Sequence, residues 1–270
     1  MKTRIITGVG LFVAICTVLL LSGFEWFLNT VVALLCVAAV FEIYRATGAK
    51  DNRALFAVSC VAAAVLPYIA VPYYEYITAV LFAAAVVLFT CLMAKNKQIH
   101  SIHPALSALI ALFIICFYKT MTAIRSEKFG FFTLTLAVVI CNVDDIAAYF
   151  VGKGCGRHKL APVISPNKTV EGSIGGVVCS VAVFLAVGFA LDKAGVVSVN
   201  YGRLAVYLAI ASVIGQLGDL SMSAVKRIAG IKDYGRLFPG HGGVLDRFDS
   251  LMFVLPFTYL FCSVTGPIFS

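Results

Sequence analysis

Long apolar runs, punctuated by short clusters of charge, fill the chain from end to end. A bilayer core about 30 Å thick asks for about 20 apolar residues per helix. Cutting the chain at its charge clusters on that basis predicts nine spans, over residues 5–24, 26–44, 54–74, 76–94, 105–124, 129–151, 173–191, 204–223 and 248–264. The runs are continuous and lack the period-2 alternation of a barrel lying between lipid and lumen, so strands are a poor alternative. The pattern predicts an all-α polytopic membrane protein with long loops after the sixth and eighth spans. Residues 1–270 read as one integral membrane domain, with 1–128 a helical scaffold and 129–270 the half whose long loops carry the candidate chemistry.

Charge orients the spans. Of the 21 Lys and Arg, 16 fall in the N-terminus and the even connections and 5 in the odd ones. Because cytoplasmic segments hold the basic excess, the N-terminus and the two long loops are expected inside and the C-terminus outside. Lys95 and Lys97 belong to the fourth connection, which also holds His100 and His103. Lys2 and Arg4 ahead of an apolar run have the look of a signal peptide, but no small-residue cleavage site follows Phe24, and the charge alternation uses that run as a span.

Composition narrows the class further. The chain is 61% hydrophobic and 13% charged, with a mean hydropathy of +0.99. Soluble domains carry about 25% charged residues. A soluble enzyme, a disulfide scaffold, a disordered chain and a nucleic-acid binder are therefore excluded as classes. The net charge of +8 suits anionic lipid or an anionic substrate at the cytoplasmic face. Eight of the nine cysteines lie in apolar runs; Cys155 is in a loop, and no CxxC pair exists, so no zinc site is indicated. No internal repeat supports an inverted-repeat transporter.

An aspartate near the middle of a membrane helix costs about 2.5–3.5 kcal/mol, which makes it a functional candidate. Asp144, Asp145 and Asp219 are three such acids. Asn142, Asp145 and Tyr149 share one helical face, with Asp144 about a quarter turn away. Gln216, Asp219, Ser223 and then Lys226 or Arg227 recur at three- and four-residue steps in the eighth span. Asp219 and Lys226 are too far apart along the helix to pair easily, so a hard cation with oxygen ligands is the better use of Asp219. Asp246 and Asp249 stand at i and i+3 and share a face if the ninth helix has begun there.

The loops carry cations among glycines. Lys226, Arg227, Lys232, Arg236 and Arg247 surround Gly240, His241, Gly242 and Gly243, a composition suited to polyphosphate. No Walker pattern is present. His241 either positions a phosphate or holds the loop. The sixth connection repeats the theme with Lys153, Arg157, Lys159 and Lys168, stiffened by Pro162 and Pro166. There Ser165, Asn167 and Thr169 can donate to phosphate or base, and Glu171 can orient a cation or cap the next helix.

The run Ser223, Val225, Lys226, Arg227, four residues, Lys232, Asp233, Gly235, Phe238, Pro239, His241, Gly242, Gly243, Val244, Asp246, Arg247, Phe248, Asp249 resembles the C-terminal motif of the CDP-diacylglycerol synthase (phosphatidate cytidylyltransferase) family. Asp145, Ala148 and Tyr149, then Gly156, Lys159 to Pro162, Ser165, Pro166, Lys168, Thr169 and Gly172 are similar too. The resemblance spans about residues 140–265 and is compositional before that. It implies a membrane enzyme, dimeric in the family, that joins CTP to phosphatidic acid with Mg2+, giving CDP-diacylglycerol and pyrophosphate. It also implies that Asp219 and Asp246 associate with metal, with K+ as a second cation; Asp249 is expected in support. Lys226, Arg227, Lys232 and Arg247 are expected to balance pyrophosphate. Ser165, Asn167, Lys168 and Thr169, together with Asp145, Tyr149, His241, Gly242 and Gly243, are expected to contact substrate. The adjacent pair Asp144–Asp145 departs from the family's single aspartate, and Asp145 is the one that aligns. Rival readings are a transporter or channel, a CTP-dependent lipid kinase and a structural membrane protein.

Overall fold

The computed structural model describes residues 2–71, 73–95 and 102–270; Lys97 and His100 lie outside them. Nine α-helices are present among the described residues: α1 (Lys2–Leu21), α2 (Glu25–Ala46), α3 (Arg53–Val65), α4 (Tyr74–Ala94), α5 (Pro104–Ser126), α6 (Gly130–Cys155), α7 (Val170–Lys193), α8 (Tyr201–Ile228) and α9 (Leu245–Thr265). Seven of them, α2 and α4 to α9, are long and apolar enough to cross a membrane, and the chain is an integral membrane protein of helical type. The apolar stretches Ile6–Leu21 and Arg53–Tyr68 are shorter.

The expected third span, 54–74, is interrupted. Its α-helix ends at Val65 and passes into a 3-10 turn at Leu66–Tyr68. Pro67 lacks the N–H that a continuing helix would use, which accounts for the break. The sixth connection also departs from a plain loop, forming an antiparallel hairpin of β1 (Lys159–Ala161) and β2 (Ser165–Thr169) with Lys159 opposite Thr169.

Between helices in lipid the hydrophobic effect gives little drive, so packing and interhelical hydrogen bonds must hold the bundle. The centre is aromatic: Phe113 stacks on Phe117 of α5 at 5.8 Å, and Phe253 of α9 meets Phe89 of α4 edge-on at 5.4 Å. Helices α6 and α7 approach closely because Gly176 has no side chain; a Cβ there would lie 2.7 Å from Asp144 Oδ1.

The bundle has two distinct ends. At one, Arg45 of α2 donates to the Tyr234 carbonyl, and Ser107 of α5 donates to Thr47 at 2.9 Å. The hairpin and the α8–α9 connection meet there, since Arg227 Nε donates to Ile164 O at 3.1 Å. At the opposite end Arg125 Nε donates to Ser22 Oγ at 2.9 Å, and the C-terminal residues pair with the α7–α8 connection through Ser198 N and Ser270 O at 2.9 Å.

Candidate active site

Three acids from three helices converge under the hairpin. Lys168 of β2 reaches inward, and its ammonium pairs with Asp219 of α8 at 2.5 Å. Asp145 of α6 and Asp249 of α9 lie within electrostatic reach of the same ammonium. Burial works against a charged Lys168, but Asp219, Asp145 and Asp249 outweigh it and hold its pKa above the ordinary lysine value. Of these acids Asp145, together with Lys168, opens onto a cavity of about 580 Å3. That cavity is lined by Asp145, Tyr149, Lys153, Lys159, Asn167 and Lys168, among others. Arg247, exposed, stands within electrostatic reach of Asp145.

The polar stripe of α8 holds this arrangement in place. Gln216 donates to both oxygens of Asp144, at 3.2 and 3.0 Å, and to Ser173 O at 3.1 Å. Ser212 donates to Asp144 as well, and Ser173 donates to Gln216. Asp144, which the face count leaves off the stripe, is thus a buried knot joining α6, α7 and α8, while its neighbour Asp145 opens to the cavity. One turn along α8, Ser223 donates to Asp219 at 3.2 Å.

Asp246 and Asp249 do not share a face. Helix α9 is kinked at Phe248 (φ −123°, ψ 15°), whose carbonyl accepts from Tyr118 at 3.1 Å. Asp246 therefore points back into its own loop. One oxygen pairs with Lys226 at 3.0 Å; the other accepts the N–H groups of Tyr234 (2.7 Å), Gly243 (2.8 Å) and Gly235 (3.3 Å). Asp249 instead accepts from Ser250 N at 2.8 Å through Oδ1, and its other oxygen has no protein partner among the described residues.

These positions decide which acids suit a hard cation. No three His, Cys, Asp or Glu side chains among the described residues are grouped to chelate a metal unaided. Mg2+ seldom needs that, because it commonly takes one or two carboxylates and completes its shell with substrate phosphates and water. Asp219, whose counter-charge is a displaceable lysine, and Asp249, with its unpartnered oxygen, fit such a donor set. Asp246 would have to surrender Lys226 and three backbone donors to join it.

Other expected site residues divide similarly. Thr169 accepts from Gly172 N at 3.1 Å and so caps α7. Glu171, in the first turn of α7, gathers Arg157 N (3.0 Å), His158 N (3.2 Å) and His158 Nδ1 (2.6 Å), closing the turn into β1. Arg227 joins the two loops through Ile164. Ser165 is half-buried on β2 and Lys232 is exposed. His241 closes a tight turn, its N–H on Phe238 O at 2.8 Å, and Gly242 sits at φ +91° beside it. The His241 ring packs near Gly8 of α1, and its Nδ1 is buried without a partner among the described residues.

Glu42 of α2 escaped the sequence reading. Its carboxylate, 5% exposed, accepts Val244 N and Leu245 N at 2.9 Å each and so caps the start of α9. Gly243 is glycine for this reason: a Cβ there would meet Glu42 Oε1 at 2.1 Å. The available signal was an acid inside an apolar span, two residues from the point where the second run was cut.

A family model described as the cytidylyltransferase family matches residues 2–265. A protein of Staphylococcus aureus named phosphatidate cytidylyltransferase is 48% identical over 149 residues, covering 55% of this chain and 54% of that protein. One of the same name from Staphylococcus haemolyticus is 46% identical over 149 residues, with the same coverage. The chain spans about half the length of the curated relatives it matches.

Proposed function

The chain belongs to the cytidylyltransferase family, and from that premise we propose that it transfers the cytidylyl group of CTP to phosphatidic acid within the bilayer. The carrying observation is the cluster of Asp145, Asp219 and Asp249 around Lys168, with Asp145 and Lys168 opening onto a cavity walled by the hairpin and by α6, α7 and α8. A phosphate oxygen of the lipid attacks the α-phosphorus of CTP. The new O–P bond forms as the bond to the β-phosphate bridging oxygen breaks, giving CDP-diacylglycerol and pyrophosphate.

A phosphate monoester is already anionic near neutral pH, so the protein supplies alignment and charge neutralisation and needs no strong base. Lys153 and Lys159 face the phosphates from the cavity wall, with Arg227 at the end of α8, Lys232 in the α8–α9 connection and Arg247 at the start of α9 as further cations for them. Asn167 and Tyr149 orient nucleotide or lipid headgroup. Bound Mg2+, held by Asp219 and Asp249 with K+ as a companion ion, would offset charge on the CTP phosphates. Asp246 serves the site through its loop: with Lys226 and Glu42 it fixes Gly243 and the turn that carries His241 and Gly242.

The site faces the cytoplasm in this reading, supported by the basic excess at its end of the chain's alternation. A homodimer surrounded by lipid completes it, in keeping with the exposed apolar faces of α1 and α7 (Phe12, Val13, Ile174 and Val178).

The test is purified protein with phosphatidic acid and CTP labelled at either the α- or the γ-phosphate. Label from the α position should enter the lipid with release of pyrophosphate. Lipid labelled from the γ position, with CDP released, would replace the proposal with a lipid kinase; solute flux without nucleotide turnover would replace it with a transporter.

A further inference from the structure

At the end of the bundle opposite the acids lies a second polar cavity, of about 400 Å3, between the α1–α2 turn, α2, the 3-10 turn after α3, and α5. Lys119 and Arg125 of α5 line it, together with Asn29 and Thr122, and the exposed acids Glu25 and Glu127 complete the wall. Lys119 is 8% exposed. Its ammonium donates to the carbonyls of Leu66 and Ile69 in the 3-10 turn that follows α3, the first of which also accepts Ile69 N at 3.2 Å. Those carbonyls explain where the lysine sits but carry no net charge to balance it. Arg125 spends one N–H on Ser22 Oγ. Neither cation forms an ion pair among the described residues, although two carboxylates line the same cavity.

The level of this cavity in the bilayer is marked independently. Trp26, Tyr68, Tyr73 and Tyr76 are all exposed around this end, at 70%, 51%, 74% and 67%. Exposed Trp and Tyr collect where headgroups meet acyl chains. The Tyr68 hydroxyl lies 2.8 Å from Thr30 Oγ1, so the turn that walls the cavity is tied to α2 at that depth.

We infer that this cavity binds the headgroup of a zwitterionic aminophospholipid from the leaflet opposite the nucleotide site. The phosphodiester meets the Arg125 fork and the Lys119 ammonium, and the headgroup amine meets Glu25 and Glu127. The acids matter to the identity of the occupant. They disfavour a free dianion or a headgroup of net negative charge, whereas a phosphate with its own ammonium satisfies both signs at once.

Binding is read on the full chain in detergent by native mass spectrometry and by thermal melting, with phosphatidylethanolamine, phosphatidylglycerol or inorganic phosphate added. Phosphatidylethanolamine should be retained and should raise the melting temperature, well ahead of the other two. Arg125→Gln should weaken its retention about tenfold, the scale of one charge-assisted phosphate contact. Glu25→Gln should erase the preference over phosphatidylglycerol. Because Lys119 also braces α3, these two variants carry the test in its place. Equal retention of all three probes, a response to inorganic phosphate alone, or unchanged retention in Arg125→Gln would overturn the inference.

Discussion

Replacing Glu42 by Gln tests whether the first half of the chain builds the candidate site. The carboxylate receives two backbone N–H groups, Val244 on Oε1 and Leu245 on Oε2, each at 2.9 Å. Gln keeps one acceptor and turns an NH2 toward the other N–H, so one bond is lost and two donors face each other in a buried place. A hydrogen bond to a charged group contributes about 1.5–3 kcal/mol, and a buried donor left unpaired costs about 1–3 kcal/mol. A loss of about 3 kcal/mol is expected for the loop's ordered state. Since 1.36 kcal/mol is about tenfold, the ordered population falls relative to the open one by about a hundredfold. CDP-diacylglycerol formation should drop tenfold or more while helix content and elution volume stay those of the wild type. Glu42→Gln protein with turnover within about twofold of wild type would refute the coupling.

Four further substitutions separate the roles assigned to the acids and to Lys168. Asp219→Asn should raise the Mg2+ concentration needed for half-maximal activity, whereas Asp246→Asn should lower kcat with little change in that requirement; the reverse pattern would exchange their roles. Lys168 has a raised pKa in the folded protein, so its stabilising contribution is fully present below the unfolded lysine value of 10.5 and is lost as pH climbs through the folded value. Alkaline unfolding measured by helix content should therefore shift in Lys168→Met, and identical alkaline profiles would contradict the pairing. Asp144→Asn sets an NH2 against that of Gln216 and should cost about 1–3 kcal/mol in unfolding by SDS; an unchanged transition would mean the knot between α6, α7 and α8 carries no stability.

Much of this architecture was legible in the apolar runs, because a bilayer imposes one length on every crossing helix. The stripe of Gln216, Asp219 and Ser223 was legible for the same reason: polar side chains in an apolar helix need partners, and α8 turns Gln216 to α6 and α7 and Asp219 to β2, while Ser223 donates to Asp219. Glu42 was not, since its partners are backbone groups more than 200 positions away and no side-chain pattern announces them. The spacing of Asp246 and Asp249 suggested one shared face, and the kink at Phe248 sends them to different tasks. The hairpin carries Pro162 and Pro166 over a few residues, too short for strand periodicity to register. The break at Pro67 lies inside an apolar run long enough to read as one span, so length alone does not reveal it.

In the proposed reaction Asp219 and Asp249 hold a divalent ion beside the triphosphate, under the hairpin. An experimental structure with CTP and Mg2+ bound tests this most directly. It should show an ion on Asp219 and Asp249, with the triphosphate in the cavity lined by Lys153, Lys159 and Lys168. Nucleotide bound elsewhere, with the Lys168–Asp219 pair intact and no ion on either acid, would contradict it.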